Sequence, residues 1–335
     1  MYAEAAAASA VVAGQRSANA EELARLAARL RATPPHAVLT YARGSSDHAA
    51  TFAKYLIETR LGIITASQAP SVASIYEAPQ GQGRALCLAI SQSGRSPDLL
   101  AAVEAAKQSG AYSLALVNAD DSPLAALADT VLPLRAGPEL SVAATKSYIA
   151  TLAALVDFVA AWSEDADLSE ALDAAPAQLE RAWQADWSSL TERLRDVGGL
   201  YVVGRGLGLG IAQEAALKFK ETCGLHAEAF SAAEIRHGPM ALVKPGFPLV
   251  VFRQEDETGA SVDELVAEIV GRGGEVFVAG PATPGAVELP SEPAHPAIQP
   301  MLQIQSFYRA VNALSLARGL DPDSPPHLTK VTETV

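Results

Sequence analysis

The chain has 335 residues, of which 49% are hydrophobic, and its formal net charge is −13 at pH 7. A chain of this length is too long to fold around one ordinary hydrophobic core, which predicts two domains. The acidic balance and the dispersed Lys and Arg residues offer no basic surface, so nucleic acid is not an expected partner. No apolar run has the length of a membrane span, and no basic region precedes the Ala-rich start, so we expect a soluble cytoplasmic protein without a membrane partner.

Strand-like apolar runs alternate with helix-like segments in the first half of the chain, which predicts a parallel sheet covered by helices. The expected strands are 36–42, 85–91, 112–118 and a run that begins at residue 130. The nearly continuous apolar stretch 142–162 contains Lys146 and Asp157 and predicts a buried helix rather than a membrane span. The acidic, Ala-rich segment after it predicts a connecting helix.

The second half repeats this organisation, beginning with the strand-like run 198–204. Arg43-Gly44 matches Arg205-Gly206, and Gly62 matches Gly224 at the same offset. Such self-similarity indicates duplication. We therefore expect two similar α/β domains whose ligand site lies at the carboxyl ends of the strands.

Two patterns that often bind metals or cofactors are absent. Cys87 and Cys223 have no metal-ligand or disulfide spacing, so we interpret them as packing residues. The run "GRGLGLG" (204–210) does not fit G-x-G-x-x-G in any register, which favours a tight strand-to-helix turn over a dinucleotide site. No cofactor is expected.

The stretch "ISQSGRSPD" (90–98) lies between a strand and a helix and carries three hydroxyls, an amide and a glycine. Hydroxyl donors, a close backbone approach at Gly94 and a helix N-terminus together suit a phosphate. The alternative is an ordinary turn with an N-cap at Ser96. Ser45 and Ser46 follow the first strand and Gly44, and they could contact the same ligand.

The segment 214–242 carries a second candidate site. Glu214, Lys218 and Glu221 have helical spacing and share one face, and His237 precedes a Gly-Pro turn. Surface salt bridges explain such a trio more often than catalysis does. A carboxylate base with an imidazole is, however, what proton transfer on a sugar requires.

The motifs "RGSSDHA", "ISQSGRSPD", "SVAATKS", "EAALKFKE", "EIRHGPMAL" and "HLTKVTETV" resemble those of the sugar isomerase (SIS) double-domain family. The resemblance extends from about residue 20 to the C-terminus. It implies two tandem flavodoxin-like SIS domains, each a parallel sheet covered by helices, in a homodimer with shared active sites. The expected parts are an N-terminal helical segment (1–34), a first SIS domain (35–163), a linker helix (164–197), a second SIS domain (198–320) and a tail that reaches the active site (321–335).

The resemblance also implies a role for each residue that matches a family motif. Glu221 would move the proton between C2 and C1, His237 would assist ring opening across the dimer, Lys218 would support charge at the reacting oxygen, and Lys330 would reach the sugar carbonyl carbon. The residues implied in binding the phosphate or the sugar are Gly44, Ser45, Ser46, Ser91, Gln92, Ser93, Ser96 and Ala144.

Two departures favour one branch of the family. Ala144 replaces a hydroxyl of the synthase, and Arg95 replaces an acidic residue, and both choices resemble the stand-alone deaminases. Only some forty residues precede the first SIS domain, and neither cysteine lies near residue 1, so no glutaminase domain is expected. The expected reaction converts glucosamine 6-phosphate to fructose 6-phosphate and ammonia without a metal.

Other functions remain compatible with the sequence. A galactosamine-6-phosphate deaminase, a fructosamine-6-phosphate deglycase or a simple phosphosugar isomerase would use the same fold. A non-enzymatic phosphosugar sensor is the alternative of another class, although such regulators usually add a DNA-binding or partner domain that this sequence lacks.

Overall fold

The computed structural model describes residues 1–78, 81, 83–281 and 283–330, which form two compact units. The first unit comprises Ala10–Glu139 and Lys146–Asp173, together with the last described residues, Thr329 and Lys330. The second unit comprises Met1–Ser9, Leu140–Thr145 and Ala174–Leu328. The domain boundaries expected from the sequence remain a prediction.

The first unit contains a five-stranded parallel sheet. Its strands are β1 (Val38–Tyr41), β2 (Thr65–Ser67), β3 (Leu86–Ser91), β4 (Tyr112–Val117) and β5 (Thr130–Pro133). They lie in the order β2-β1-β3-β4-β5, which is the flavodoxin-like order, and Leu86 of β3 pairs with Val38 of β1 and Tyr112 of β4. β3 is buried along its whole length, because helices cover both faces of a parallel sheet.

Helices connect these strands. Two helices open the chain: α1 (Tyr2–Ala6), which belongs to the second unit, and α2 (Ala8–Ala32). The others are α3 (Ser45–Leu61), α4 (Ser71–Ser74), α5 (Pro97–Gln108), α6 (Pro123–Leu127) and α7 (Lys146–Ser163). The near-complete burial of α7 confirms the prediction of a buried helix.

The start of α7 differs from the prediction. The apolar pattern placed it at residue 142, but the helix begins at Lys146. The carboxylate of Glu139 accepts hydrogen bonds from the backbone N–H and the hydroxyl of Ser147, at 3.1 and 2.6 Å. The backbone N–H of Val142 donates instead to the carbonyl oxygen of Asp323, at 3.1 Å. The first helical turn is thus fixed by a carboxylate cap that the apolar pattern does not reveal.

The second unit contains a second five-stranded parallel sheet. Its strands are β6 (Gly199–Gly204), β7 (His226–Ser231), β8 (Pro248–Phe252), β9 (Glu275–Ala279) and β10 (Val287–Leu289). Read from the β7 edge, the order is β7-β6-β8-β9-β10. This is the order of the first sheet, with β6 in the place of β1 and β8 in the place of β3. β10 lies in a Pro-rich part of the sequence, a composition that predicts a loop rather than a strand.

Helices and two 3₁₀ turns complete this unit. The helices are α8 (Ala166–Gln184), which begins in the first unit, α9 (Ser188–Leu194), α10 (Gly208–Cys223), α11 (Gly259–Gly271) and α12 (Gln299–Ala317). The 3₁₀ turns are Glu234–Arg236 and Pro239–Leu242. Among the described residues, no helix combines the length and apolarity needed to cross a membrane.

The backbone supports the duplication. Gly44 and Gly206 follow the first strands of their sheets with φ values of 54° and 57°. Gly62 and Gly224 end α3 and α10 in the left-handed conformation, with φ values of 67° and 59°. Both glycine pairs predicted from the sequence therefore occupy equivalent backbone positions, where a residue with a side chain would be strained.

Candidate active site

The predicted phosphate loop connects β3 to α5 in the first unit. Ser91 ends the buried strand, and its hydroxyl oxygen accepts a hydrogen bond from the N–H of Gly94 at 2.9 Å. The side chains of Gln92, Ser93 and Ser96 are half-buried and make no hydrogen bond with any residue that the structure describes. They are therefore available to a ligand.

Ser96 bears on the alternative interpretation of this loop. It occupies the N-cap position of α5, with φ −64° and ψ 121°, but its side chain makes no capping hydrogen bond. A turn built only to start the helix would use that hydroxyl on the helix N–H groups. The geometry thus favours an anion site at the N-terminus of α5.

Gly94 gives the loop its shape. It has a φ of 63°, and a Cβ atom at this position would lie 2.2 Å from the Oγ of Ser122 and 3.0 Å from a methyl group of Val117. The carbonyl oxygen of Gly94 also accepts a hydrogen bond from the N–H of Leu124 at 3.1 Å. The loop is therefore packed on the β4–α6 connection and can exist only with glycine here.

The second pair of predicted binding residues lies at the end of the neighbouring strand. Ser45 and Ser46 are half-buried in the first turn of α3, directly after β1, which pairs with β3. Gly44 precedes them and is exposed. Because parallel strands end at one edge of the sheet, both loops lie on the same side of the first unit, as the sequence predicted.

Asp47 is a titratable group beside these serines. Burial raises the pKa of its carboxyl group above the ordinary value, although the charges of His48 and Arg43 oppose that effect.

The equivalent loop of the second unit, between β8 and α11, differs in its chemistry. It carries the acidic run Glu255, Asp256 and Glu257, and its hydroxyl residue Thr258 donates to the Asp256 carboxylate from both its N–H and its hydroxyl, at 2.8 and 2.5 Å. The side chain of Gln254 is buried here and donates to Gln303 at 2.6 Å. This loop is acidic and internally hydrogen-bonded, so it does not offer a second anion site.

The Gly-rich run 204–210 forms the turn from β6 into α10. A Cβ atom on Gly204 would lie 2.2 Å from the carbonyl oxygen of Gly208, and one on Gly208 would lie 3.1 Å from the Gln254 side chain. These close approaches explain the glycines, in agreement with the predicted structural role.

The charged trio Glu214, Lys218 and Glu221 lies on one face of α10, as its spacing predicted. The Lys218 ammonium is fully buried, lies 3.3 Å from an oxygen of Glu214 and forms a hydrogen-bonded ion pair with Glu221. Burial lowers the pKa of Lys218, but the two carboxylates outweigh this effect and hold the pKa above its ordinary value. Lys218 is thus a cation held between two carboxylates.

The two carboxylates have different surroundings. Glu214 is fully buried, and one of its oxygens accepts a hydrogen bond from the hydroxyl of Tyr308 at 3.1 Å. The side chain of Glu221 is 20% exposed. Of this pair, Glu221 is the carboxylate that a ligand can reach.

His237 lies in the loop between the two 3₁₀ turns of the second unit. Its side chain is exposed and makes no hydrogen bond or ion pair with any described residue of this chain. Gly238 follows with a φ of 128°. Within one chain, the structure therefore shows no hydrogen bond or ion pair between His237 and Glu221.

Lys330 and Ala144, two further predicted site residues, belong to different units. The ammonium of Lys330 lies 3.3 Å from the buried carboxylate of Glu139 in the first unit. Ala144 is half-buried in the segment 140–145 of the second unit. Glu139 was not among the sequence candidates, because it precedes α7 without any capping signature.

The cysteines are confirmed as packing residues. Both thiols are free and buried, and burial raises the pKa of Cys87 to about 12 and that of Cys223 to about 11. Among the described residues, no cluster of His, Cys, Asp and Glu could hold a metal ion.

The chain belongs to the SIS domain family, because the model of that family matches residues 33–161 and 193–279. The two matched segments contain the whole first sheet and four of the five strands of the second. The family match therefore agrees with the two-sheet fold described above.

Among its relatives is a glutamine–fructose-6-phosphate aminotransferase (isomerizing) from Aeropyrum pernix, which is 34% identical over 313 residues. The match covers 88% of this chain and 50% of the relative, so the chain spans about half the length of the curated relatives it matches.

Three solved structures extend over nearly the whole chain. A candidate phosphosugar isomerase from Silicibacter pomeroyi DSS-3 has 41% identity and a TM-score of 0.93, covering 96% of this chain and 99% of that one. The C-terminal domain of glucosamine-fructose-6-phosphate aminotransferase from Francisella tularensis has 25% identity and a TM-score of 0.84, covering 96% and 97%. Glucosamine-6-phosphate deaminase from Thermotoga maritima, at 22% identity and a TM-score of 0.75 over 97% and 100%, shares the fold.

Proposed function

We propose that this protein is a phosphosugar isomerase that converts glucosamine 6-phosphate to fructose 6-phosphate and ammonia. The observation that carries the proposal is the accessible carboxylate of Glu221, paired with the buried ammonium of Lys218. The names of the relatives support a phosphorylated hexose as substrate. The departures at Ala144 and Arg95, which resemble the deaminases, support loss of the amine.

The hydroxyl loop supports binding of the phosphate group. Ser91, Gln92, Ser93 and Ser96 present donors at the N-terminus of α5, where the helix dipole favours an anion. Ser45 and Ser46 supply further donors at the end of the adjacent strand, and Gly44 keeps the backbone beside them open. Ala144 would contact the sugar without offering a hydroxyl.

The proposed chemistry requires one proton carrier. Ring opening exposes the C1 aldehyde and acidifies the C2 proton. Glu221 takes that proton to give an enolamine and returns it at C1, which leaves an imine at C2 and a hydroxymethyl group at C1. Water then adds to the imine and releases ammonia, leaving the ketone of fructose 6-phosphate. No step consumes a redox equivalent.

The surrounding cations have distinct proposed tasks. Lys330, on the last described segment, would reach the sugar carbonyl carbon. Lys218 is buried between Glu214 and Glu221, which favours a role in orienting the Glu221 carboxylate. Its predicted contact with the reacting oxygen remains a prediction.

The decisive measurement is ammonia release from glucosamine 6-phosphate, with galactosamine 6-phosphate and fructosamine 6-phosphate in parallel. We expect Glu221→Gln to reduce kcat by about a thousandfold, because the amide cannot carry the proton. Glu264→Gln, an exposed charge change on α11, is the matched control and should retain full activity. Retained phosphosugar binding without ammonia from any of the three substrates would contradict the deaminase and favour a sensor.

A second candidate is aldose-ketose isomerisation without loss of nitrogen. The 41% identity to the candidate phosphosugar isomerase favours it specifically. Conversion of fructose 6-phosphate to glucose 6-phosphate, measured with the same Glu221→Gln variant, distinguishes the two reactions.

The exposed side chain of His237 supports a site completed by a second copy of the chain. We expect the protein to be a homodimer in which His237 of one copy assists ring opening in the other. Mixing inactive His237→Ala and Glu221→Gln variants under exchange conditions should then restore part of the activity. A monomer in solution, or no recovery despite exchange, would contradict this arrangement.

A further inference from the structure

The carboxylate of Glu139 connects the start of α7 with the last described residue of the chain. Its side chain is fully buried, yet both oxygens are occupied. One oxygen accepts the backbone N–H of Ser147 at 3.1 Å, and the other accepts the Ser147 hydroxyl at 2.6 Å and lies 3.3 Å from the Lys330 ammonium. All three residues belong to the first unit.

The contact fixes an otherwise exposed stretch of chain. Residues 326–329 are exposed and have neither helix nor strand, and Lys330 is the first half-buried residue after them. The Lys330 side chain is 23% exposed, whereas its carboxylate partner has no exposed surface. A buried carboxylate costs free energy unless it is paired and hydrogen-bonded, so it holds its partners firmly.

Two independent requirements therefore meet at one carboxylate. The N-terminus of α7 favours a negative charge at its first turn, and the basic side chain of Lys146 is turned to the carbonyl oxygen of Pro138, at 2.6 Å. The hydrogen bonds from Ser147 to Glu139 already cap the N-terminus of α7. The additional contact with Lys330 is thus not explained by capping.

We propose that Glu139 is a positioning residue that holds the Lys330 ammonium in place before the sugar binds. This inference rests on the proposed function, in which Lys330 meets the sugar carbonyl carbon. The Glu139 carboxylate fixes the position of the Lys330 ammonium. Glu139 is itself held by its hydrogen bonds to Ser147 in the buried first turn of α7. Loss of this carboxylate charge removes the contact that positions the ammonium, and the rate of the chemical step falls.

Kinetics separate this role from helix capping. We expect Glu139→Gln to lower kcat about tenfold with little change in KM, because a misplaced reacting group costs rate rather than affinity. The same substitution should have no further effect in a Lys330→Met background. Ser147→Ala, the matched control, removes a cap hydrogen bond but keeps the Lys330 contact, so it should lower stability and leave kcat unchanged. A rate loss from Glu139→Gln that persists undiminished in the Lys330→Met background overturns the proposal.

A substrate-free readout keeps this inference distinguishable from the proposed function. Brief acetylation with acetic anhydride, followed by mass spectrometry, gives the labelling rate of Lys330 relative to the exposed Lys244. In Glu139→Gln this ratio should rise about fivefold, the factor that corresponds to about 1 kcal/mol of ion pairing. Ser147→Ala should leave it unchanged. An equal ratio in wild type and Glu139→Gln overturns the proposal even if ammonia release is confirmed, whereas absent ammonia release with a changed ratio contradicts only the reaction.

Discussion

The guanidinium group of Arg43 binds one oxygen of Asp98, with Nε at 3.0 Å and Nη2 at 2.6 Å. Asp98 is only 2% exposed, and its other oxygen accepts the N–H of Leu99 at 2.8 Å. This ion pair joins the end of β1 to the first turn of α5. It therefore fixes the two loops of the proposed phosphate site relative to each other.

Removal of Arg43 should loosen this connection. We expect Arg43→Met to lower the free energy of unfolding by about 2 kcal/mol, because a buried carboxylate loses its charged partner. Arg43→Met combined with Asp98→Asn should recover most of that loss. Urea denaturation measures both, and Arg95→Met, an exposed change in the same loop, is the control. Equal stability of all the variants would show that the pair is not structural.

Gly94 should tolerate no side chain. We expect Gly94→Ala to cost about 3 kcal/mol, because the new methyl group meets Ser122 and the φ of this residue is positive. Gly62→Ala is the matched control, since Gly62 has a φ of 67° with no atom within 4 Å of the added methyl group. It should show only the strain of a positive φ, about 1 kcal/mol. Thermal denaturation of both variants tests the difference, and equal losses would rule out the steric cause.

Lys218 should be essential for stability as well as for activity. Lys218→Met leaves the fully buried Glu214 without its cation, which typically costs about 3 to 5 kcal/mol. Lys220→Met, an exposed change on the same helix, should cost almost nothing. A Lys218→Met protein as stable as wild type would contradict the view of Lys218 as a buried counterion.

Asp157 gives stability a defined pH dependence. Burial, supported by the charge of Asp173 and opposed by Arg16, raises the pKa of Asp157 from 3.8 to about 6. Between these values the folded state binds a proton that the unfolded state does not, so this residue lowers stability as the pH rises. We expect Asp157→Asn to be more stable than wild type at neutral pH by roughly 2 kcal/mol, with the advantage vanishing at about pH 4. Urea titrations of both proteins across this range would contradict the prediction if their difference were constant.

Much of the fold could be predicted from the sequence because strongly apolar runs carry the periodicity. The strands expected at 85–91 and 112–118 lie at 86–91 and 112–117. The edge strands β2 and β10 have three residues each, too few for any alternation to be recognised. β7 was missed as a strand because half of its residues are polar and most of them are not fully buried.

The candidate site was predictable only where its chemistry is local. The hydroxyl loop after β3 and the charged face of α10 are continuous in sequence, so their composition and spacing revealed them. Asp98 and Arg43 are 55 residues apart, and Glu139 and Lys330 are 191 residues apart. No local pattern joins such partners, because tertiary packing alone brings them together.

The loops after β3 and β8 differ in their chemistry although the two sheets have the same topology. The first unit presents hydroxyls after β3, whereas the second unit presents Glu255, Asp256 and Glu257 after the equivalent strand β8. With the phosphate site proposed above, the described residues of the two architectural copies supply one such loop, so we expect saturation at one sugar phosphate per polypeptide. The second sheet thus repeats the strand order of the first, while the charged groups that it supports lie on the face of α10.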